Sequence, residues 1–516
     1  MTTALRNSAT PGDAALTVIK QAPLSGSGPL YAQLADCIAN LIASGQLQYG
    51  SAMPRVRDFA NGLGVSIVTA AHAYRVLGER GLVAARPGVG TFVAHPLPKT
   101  SDPAPPDSAN LAWQRTFAHP KSTSNLSYIY RLPAACGHAQ WSFFSVPSYG
   151  GEMLPLSRRI MRRVALDAEV AHCRPTDTQG LPELRSAMAA HLRDEGVDVS
   201  ADRILITNSY EEALVLTLLA FCNDGDAIAI EDPSQFCIVD AARLRGLRLV
   251  GVPMDDKGMR TDLLEALTAR EPVRIVVTSP RAQNPTGLEL HEQRRHELYQ
   301  LARRHSWLIF ECDSFAPLHY RGRPQTPMLC DDPDGRIIYV RAISRGLLMN
   351  LGIAVATGHI LERLVAAKDI VDRGSDVFLQ LILRRLLDSG CIARQDAQMR
   401  RQWGDQLSTL LAALERTMPR SVRWTHPRGG GSVWVTMPEG CSAETLLLRA
   451  LPHGVSFIPG RAFAVSDRHD RSFRLAVGNL LPAQIIEAIN VLSSIIKDYV
   501  GEEQRGRTRV SIAKVS

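Results

Sequence analysis

Two groups of residues in this 516-residue chain have types suited to chemistry. The first is Arg55, Arg57, Ser66, Ile67, Thr69, His72, Arg86 and Gly88. Guanidinium groups neutralise phosphates, and a helix that starts at Ser66 carries Ile67, Thr69 and His72 on its first turns, where side chains can reach base edges in a major groove. Arg86 and Gly88 fall in Arg86-Pro87-Gly88-Val89-Gly90, a strong turn signal between two short apolar runs. Phe236, Asn284, Asp313, Ser344, Arg345 and Arg474 form a second set, joined not by spacing but by the resemblance described below. Arg345 stays protonated at neutral pH, so it can hold an anion or pair with Asp313 but cannot serve as a nucleophilic amine.

The elements that must position the first group follow from spacing. Leu30, Leu34, Cys37, Ile38, Leu41 and Ile42 recur at helical intervals, and Gly45 and Gly50 end that helix. A second helix is expected from near Pro54 to Leu63, stopped by Gly64, and a third from the N-cap Ser66 to about Arg80, with Tyr74 packing inward. Strands over 82–86 and 91–94 then form a hairpin wing. Helix, helix, turn, helix and wing is an order that suits double-stranded DNA.

The remaining boundaries come from composition. Residues 1–28 read as a flexible leader, 29–95 as the DNA-binding domain and 96–118 as a linker carrying Pro96, Pro98, Pro103, Pro105 and Pro106. From 119 to 500 helical stretches alternate with apolar runs at 203–207, 227–230, 247–252, 273–278, 307–310 and 337–339. This alternation predicts a mostly parallel sheet covered by helices, with a large lobe over about 165–385 and a smaller C-terminal lobe over about 386–500. Residues 501–516 read as a polar tail.

Bulk properties exclude several classes. A 45% hydrophobic content supports two or three real cores and rules out a disordered chain. The net charge of +7 is compatible with a nucleic-acid partner but is modest for this length. Nine scattered cysteines, with no C-x-x-C pair and no Cys/His cluster, indicate a reducing compartment and no metal site. The first residues lack a basic-then-apolar signal, and the longest apolar stretch, 213–222, is too short to cross a bilayer. A soluble cytoplasmic protein is expected.

Pro29-Leu30-Tyr31, Pro54, Arg57, Leu63-Gly64-Val65-Ser66, Ala73-Tyr74 and Arg86-Pro87-Gly88-Val89-Gly90-Thr91-Phe92 together resemble the GntR-type winged helix. In that family the residue after the serine and the one before Ala-Tyr are commonly arginines; here they are Ile67 and His72. Losing a bidentate arginine removes a guanine contact of about 1–3 kcal/mol. The resemblance therefore implies DNA binding with an altered preference, including apolar contact to thymine methyls.

The larger part resembles fold-type I aminotransferases, and the whole resembles the MocR subgroup of GntR regulators. The resemblance rests on Asp177 to Gly180, Arg203 to Asn208, Asn284-Pro285-Thr286-Gly287, Glu311-Cys312-Asp313, Ser344-Arg345, Gly429 to Trp434, Gly454 to Phe463 and Phe473-Arg474-Leu475. It implies pyridoxal phosphate as family cofactor, with Asn284 facing the ring hydroxyl and Arg474 clamping a substrate carboxylate. Several places depart from that pattern. Ser344-Arg345-Gly346-Leu347 has arginine at the Schiff-base lysine, so covalent attachment there is not possible. Gly352 stands at a phosphate arginine, Gln235 (beside Phe236) at the ring-stacking aromatic, and Cys312 and Ser314 within the acidic motif, leaving Asp313 for the pyridine nitrogen. Lys368 is the one other lysine nearby in sequence.

These readings lead to a homodimeric DNA-binding regulator, not an enzyme, whose degenerate cleft senses an anionic metabolite: an amino acid, a carboxylate or non-covalent pyridoxal phosphate. The alternatives are a ligand-independent repressor with a scaffold-only large domain, and an active aminotransferase.

Overall fold

The computed structural model describes residues 13–22, 28–44, 46–47, 50–79, 82–86, 90–93, 139–144, 153–167, 177–315, 318–343, 350–466, 468–478 and 480–513. They belong to two compact units, taken separately below. The expected linker 96–118, together with Gly88, Ser344 and Arg345, lies outside the described residues.

The smaller unit contains α1 (Asp13–Gln21), α2 (Leu30–Ala43), α3 (Val56–Leu63), α4 (Ile67–Glu79), β1 (Val83–Arg86) and β2 (Gly90–Val93). Gly64 ends α3 in the left-handed region at φ 68°, which a residue with a Cβ adopts only at a cost. Ser66 then opens α4, its Oγ accepting the Thr69 N–H at 3.0 Å. Leu34, Ile38, Phe59, Ala73 and Leu77 form the core, and buried Tyr74 donates its hydroxyl to the Pro54 carbonyl at 2.7 Å. β1 and β2 pair antiparallel, with Val83 opposite Val93 and Arg86 opposite Gly90.

The leader reading needs correction. Residues 13–21 form α1, which buries Ala15 and Ile19 in the same core. One apolar i, i+4 pair is too short a pattern to announce a helix; packing against the neighbouring helices supplies the stability.

The larger unit is built on an eight-stranded sheet in the order β4-β11-β10-β9-β8-β5-β6-β7. Its strands are β4 (Ile204–Thr207), β5 (Ala227–Asp232), β6 (Arg248–Asp255), β7 (Gly258–Met259), β8 (Val273–Thr278), β9 (Leu308–Cys312), β10 (Ile337–Ala342) and β11 (Gly352–Val355). The central five, β10-β9-β8-β5-β6, are parallel, while β11 runs antiparallel to both β4 and β10. All six expected apolar runs are strands, and β7 and β11 were not anticipated. Both faces are covered, as a parallel sheet requires. Ile206, Ala229, Ile309, Tyr339 and Ile353 face one core, whereas Leu205, Ile230, Phe310, Cys312 and Val340 face the other.

A second sheet, β12-β13-β16-β15, is antiparallel and formed by β12 (Arg423–Trp424), β13 (Ser432–Thr436), β15 (Ile458–Pro459) and β16 (Ser472–Ala476). The long helices Cys391–Thr417 and Pro482–Ala513 accompany it. Two details revise the expected limits of this lobe. β3 (Trp141–Ser142) pairs with β14 (Val455–Ser456), so a segment preceding the large lobe completes the small one. The final helix also continues through the expected polar tail as far as Ala513. Among the described residues no helix is long and apolar enough to cross a membrane.

Candidate functional site

On the smaller unit, Arg55 and Arg57 are exposed at the start of α3. Ala70, Ala73, Tyr74 and Leu77 turn the inner face of α4 into the core, leaving Ile67, Val68, Ala71 and Arg75 outward. Two of the expected base readers are engaged within the protein. Thr69 Oγ1 lies 2.8 Å from Ser66 Oγ in the cap. The His72 ring stacks on Tyr31 with centroids 3.8 Å apart and planes 11° apart, and its Nε2 meets the Arg75 guanidinium.

On the larger unit, the two lobes meet around Arg474 in β16. Its side chain is 3% exposed, donating from Nη1 to Asn284 Oδ1 at 3.0 Å and from Nη2 to the Phe144 carbonyl at 2.7 Å. The guanidinium lies 5.0 Å from the Phe463 ring centroid, and its buried Nε has no partner. Among the described residues no carboxylate pairs with it. Burial pulls its pKa down to about 10, so it remains charged at neutral pH. A buried cation without a counter-ion calls for an anion. Asn284 is held in place from the small lobe, where Ser432 Oγ donates to the Pro285 carbonyl at 3.0 Å and Thr425 Oγ1 to that of Thr286 at 2.7 Å. Phe236 lies 6.0 Å from Phe463, ring to ring.

Asp313 is fully buried and committed to neighbours of its own. Its carboxylate accepts from Arg281 Nε at 3.0 Å and from the buried Tyr339 hydroxyl at 2.7 Å, and Arg281 Nη2 also engages it. Cys312 belongs instead to the opposite core, where Tyr210 and Cys237 pack. There Tyr210 is half-buried; its hydroxyl donates to Gln235 Oε1 and lies 2.6 Å from Cys237 Sγ. Burial pushes that phenol far above its ordinary pKa.

The N-terminus of the helix Tyr210–Phe221 is closed by its own chain. Ser209 Oγ accepts from Glu212 N at 3.0 Å, and the Glu212 carboxylate accepts from Asn208 N at 2.5 Å. Ser209 caps the helix, and the Glu212 carboxylate reaches back past it to the N–H one residue earlier, a variant of the S-x-x-E capping box visible in Ser209-Tyr210-Glu211-Glu212 but not singled out from the sequence. Beneath it Lys368, fully buried, places Nζ 2.9 Å from Glu212 and 2.7 Å from Asp372, whose Oδ2 also accepts from Asn208 Nδ2 at 2.6 Å. Lys368 is thus committed to two carboxylates. One further cluster, His191, Glu195 and Asp396, brings ligand-type atoms within 4.8 Å of one another. The Arg341 guanidinium already supplies the positive charge there, with Nη2 2.9 Å from Glu195 Oε1.

A winged-helix reader joined to a two-lobed α/β unit with a cationic interlobe cleft defines a class: a DNA-reading domain fused to a fold of the cofactor-dependent amino-acid enzymes. Residues 158–492 match the family described as aminotransferase class I and II, and residues 30–93 match bacterial regulatory proteins of the gntR family. The chain belongs to the class I and II aminotransferase family, with a gntR-type segment at its N-terminus. It is 32% identical over 329 residues to aromatic-amino-acid aminotransferase 1 of Thermococcus litoralis, spanning 62% of this chain and 79% of that one. With YdcR, an uncharacterized HTH-type transcriptional regulator of Escherichia coli, it shares 27% identity over 91% of its own length and 99% of the other. Among solved structures it resembles LysN, an α-aminoadipate aminotransferase of Thermus thermophilus complexed with N-(5′-phosphopyridoxyl)-L-leucine. That likeness has a TM-score of 0.68 at 26% identity and covers 76% of this chain and all of that one.

The family depends on pyridoxal phosphate, and the described residues of this cleft do not fit it. Tyr210 fills the space between Gln235 and Cys237. Two carboxylates, Glu211 and Glu212, occupy the first turn of a helix whose N-terminus would otherwise favour a phosphate. At Gly352 an added Cβ would lie 3.0 Å from the Arg341 carbonyl and 3.1 Å from Ser209, so a larger residue there would require the backbone around it to shift. Arg474 and Asn284, by contrast, stand together, joined by a 3.0 Å hydrogen bond.

Proposed function

We propose that this chain is a transcriptional regulator of the MocR type. It reads a double-stranded DNA operator through the smaller unit as a homodimer, with two readers on paired half-sites. The aminotransferase-like unit senses a small anionic metabolite rather than transaminating. The regulator reading is supported by the full-length likeness to HTH-type regulators, and the sensing by one observation, the buried Arg474 without a carboxylate partner among the described residues. Arg474 takes the effector carboxylate, and Asn284 orients its guanidinium.

Arg345 stands where the family's amine would be, and an arginine forms no Schiff base at neutral pH. Incubation with pyridoxal phosphate followed by borohydride is expected to leave no adduct on the natural chain. Arg345→Lys alone is expected to behave the same way because Tyr210 still occupies the place beside Gln235; Arg345→Lys with Tyr210→Ser is expected to gain an aldimine absorbance. A reducible adduct on the natural protein would refute this part of the reading.

The sensing itself is tested on the full chain by thermal shift against a panel of L-amino acids and dicarboxylates, with operator binding measured alongside. At least one carboxylate is expected to raise the melting temperature and change DNA affinity, and Arg474→Ala to remove both effects. If no member of the panel does either, the large unit is a scaffold.

A further inference from the structure

We infer that α4 recognises its operator through thymine methyl groups, with Ile67 and Val68 as the specificity-determining residues; this rests on the regulator reading above. Ile67 and Val68 are what the outward face of α4 offers once its polar side chains are accounted for. Val68 is 77% exposed and Ile67 53%, at the start of the helix whose N-terminal residues enter the major groove in this motif. Ala71, one turn on, is also exposed. The polar side chains that might compete are held within the protein: Thr69 in the Ser66 cap, and His72 between Tyr31 and Arg75.

The leading edge of the reader therefore presents methyl and methylene groups. In the major groove a single base feature is apolar, the C5 methyl of thymine. Charge complementarity identifies the surface as one for DNA rather than for another protein. Arg55 and Arg57 at the start of α3 and Arg75 further along α4 are exposed on the same unit, as suits contacts to phosphates. A guanine-reading helix would need a donor where Ile67 and Val68 stand.

The experiment selects duplexes from a random pool with the full-length protein, then replaces individual dT by dU in the enriched half-site, which removes the methyl and nothing else. Each contacted methyl is expected to contribute roughly a 3–5-fold change in Kd, as for burial of one methyl-sized group. The same dU changes are expected to have no effect on the Ile67→Ala, Val68→Ala double variant. Both residues are exposed, so that variant is expected to fold, as unchanged circular dichroism would verify.

Equal binding of dT and dU duplexes by the natural protein would overturn the inference. So would a dU penalty that survives in the double variant, or selected half-sites without thymine. Failure to enrich any sequence, with binding that only follows salt, would instead remove the regulator reading beneath it.

Discussion

Replacing Arg474 with methionine is expected to leave the melting temperature of the free protein unchanged or slightly raised while abolishing its response to carboxylates. The arginine is charged, buried and without a carboxylate partner among the described residues. A pKa drawn down by burial to about 10 corresponds to about 3 kcal/mol of lost stability at neutral pH, because both folded and unfolded forms carry the proton there and only the folded one is penalised. Methionine relieves that penalty and keeps much of the volume. The acceptors it abandons, Asn284 Oδ1 and the Phe144 carbonyl, return about 1–3 kcal/mol. The two terms nearly cancel.

The ligand effect does not cancel. A bidentate guanidinium–carboxylate contact in a water-poor cleft carries charge-assisted bonds of about 1.5–3 kcal/mol each, so its loss weakens binding by 100-fold or more. Ligand-induced stabilisation follows the ratio of ligand concentration to Kd and should vanish at the concentrations that stabilise the natural chain. Thermal shift with and without the panel reads both parts. A variant that melts several degrees lower without ligand would make Arg474 a structural residue.

Lys368→Met is expected to do the opposite. Lys368 is as deeply buried, but its ammonium sits between Glu212 and Asp372 and closes a network with Asn208. Removing it leaves two carboxylates facing each other under the helix Tyr210–Phe221. Breaking a buried ion pair from one side costs about 3–5 kcal/mol, and a melting temperature several degrees below that of the natural chain is expected.

The pH dependence follows from the sign. Glu212 is already raised above its ordinary pKa by burial and by its bond with Asp372. Without the lysine the folded-state pKa of the pair rises further. A carboxyl raised in the folded state favours folding when protonated, and that contribution is lost as pH rises through the folded value. The deficit of Lys368→Met relative to the natural chain should therefore be larger at pH 8 than at pH 5. An equal deficit at both pH values would place the loss in packing rather than charge.

The contrast between these two cations marks where sequence reading stops. Ser66, Gly64 and the hairpin were legible because each acts within four residues of itself, and the six apolar runs were legible because a parallel sheet buries both faces. β11 was missed because its partners on both sides run antiparallel to it, and a four-residue run beginning at Gly352 carries little signal of its own. α1 was missed because its stability comes from a core assembled elsewhere.

At the site, residue type by itself determined that Arg345 cannot form a Schiff base, and the family resemblance pointed to Arg474 and Asn284 as the pair proposed above to take a carboxylate. Tertiary structure decided the rest, because the deciding contacts join residues far apart in the chain. Tyr210 reaches Gln235 and Cys237 across 25 and 27 positions, and Lys368 reaches Glu212 across 156. Asp313 is drawn to Arg281 across 32 positions. Charge on a side chain is set by its type; whether that charge is paired, and so whether it stabilises the fold or waits for a ligand, depends on partners that only folding brings within hydrogen-bonding distance.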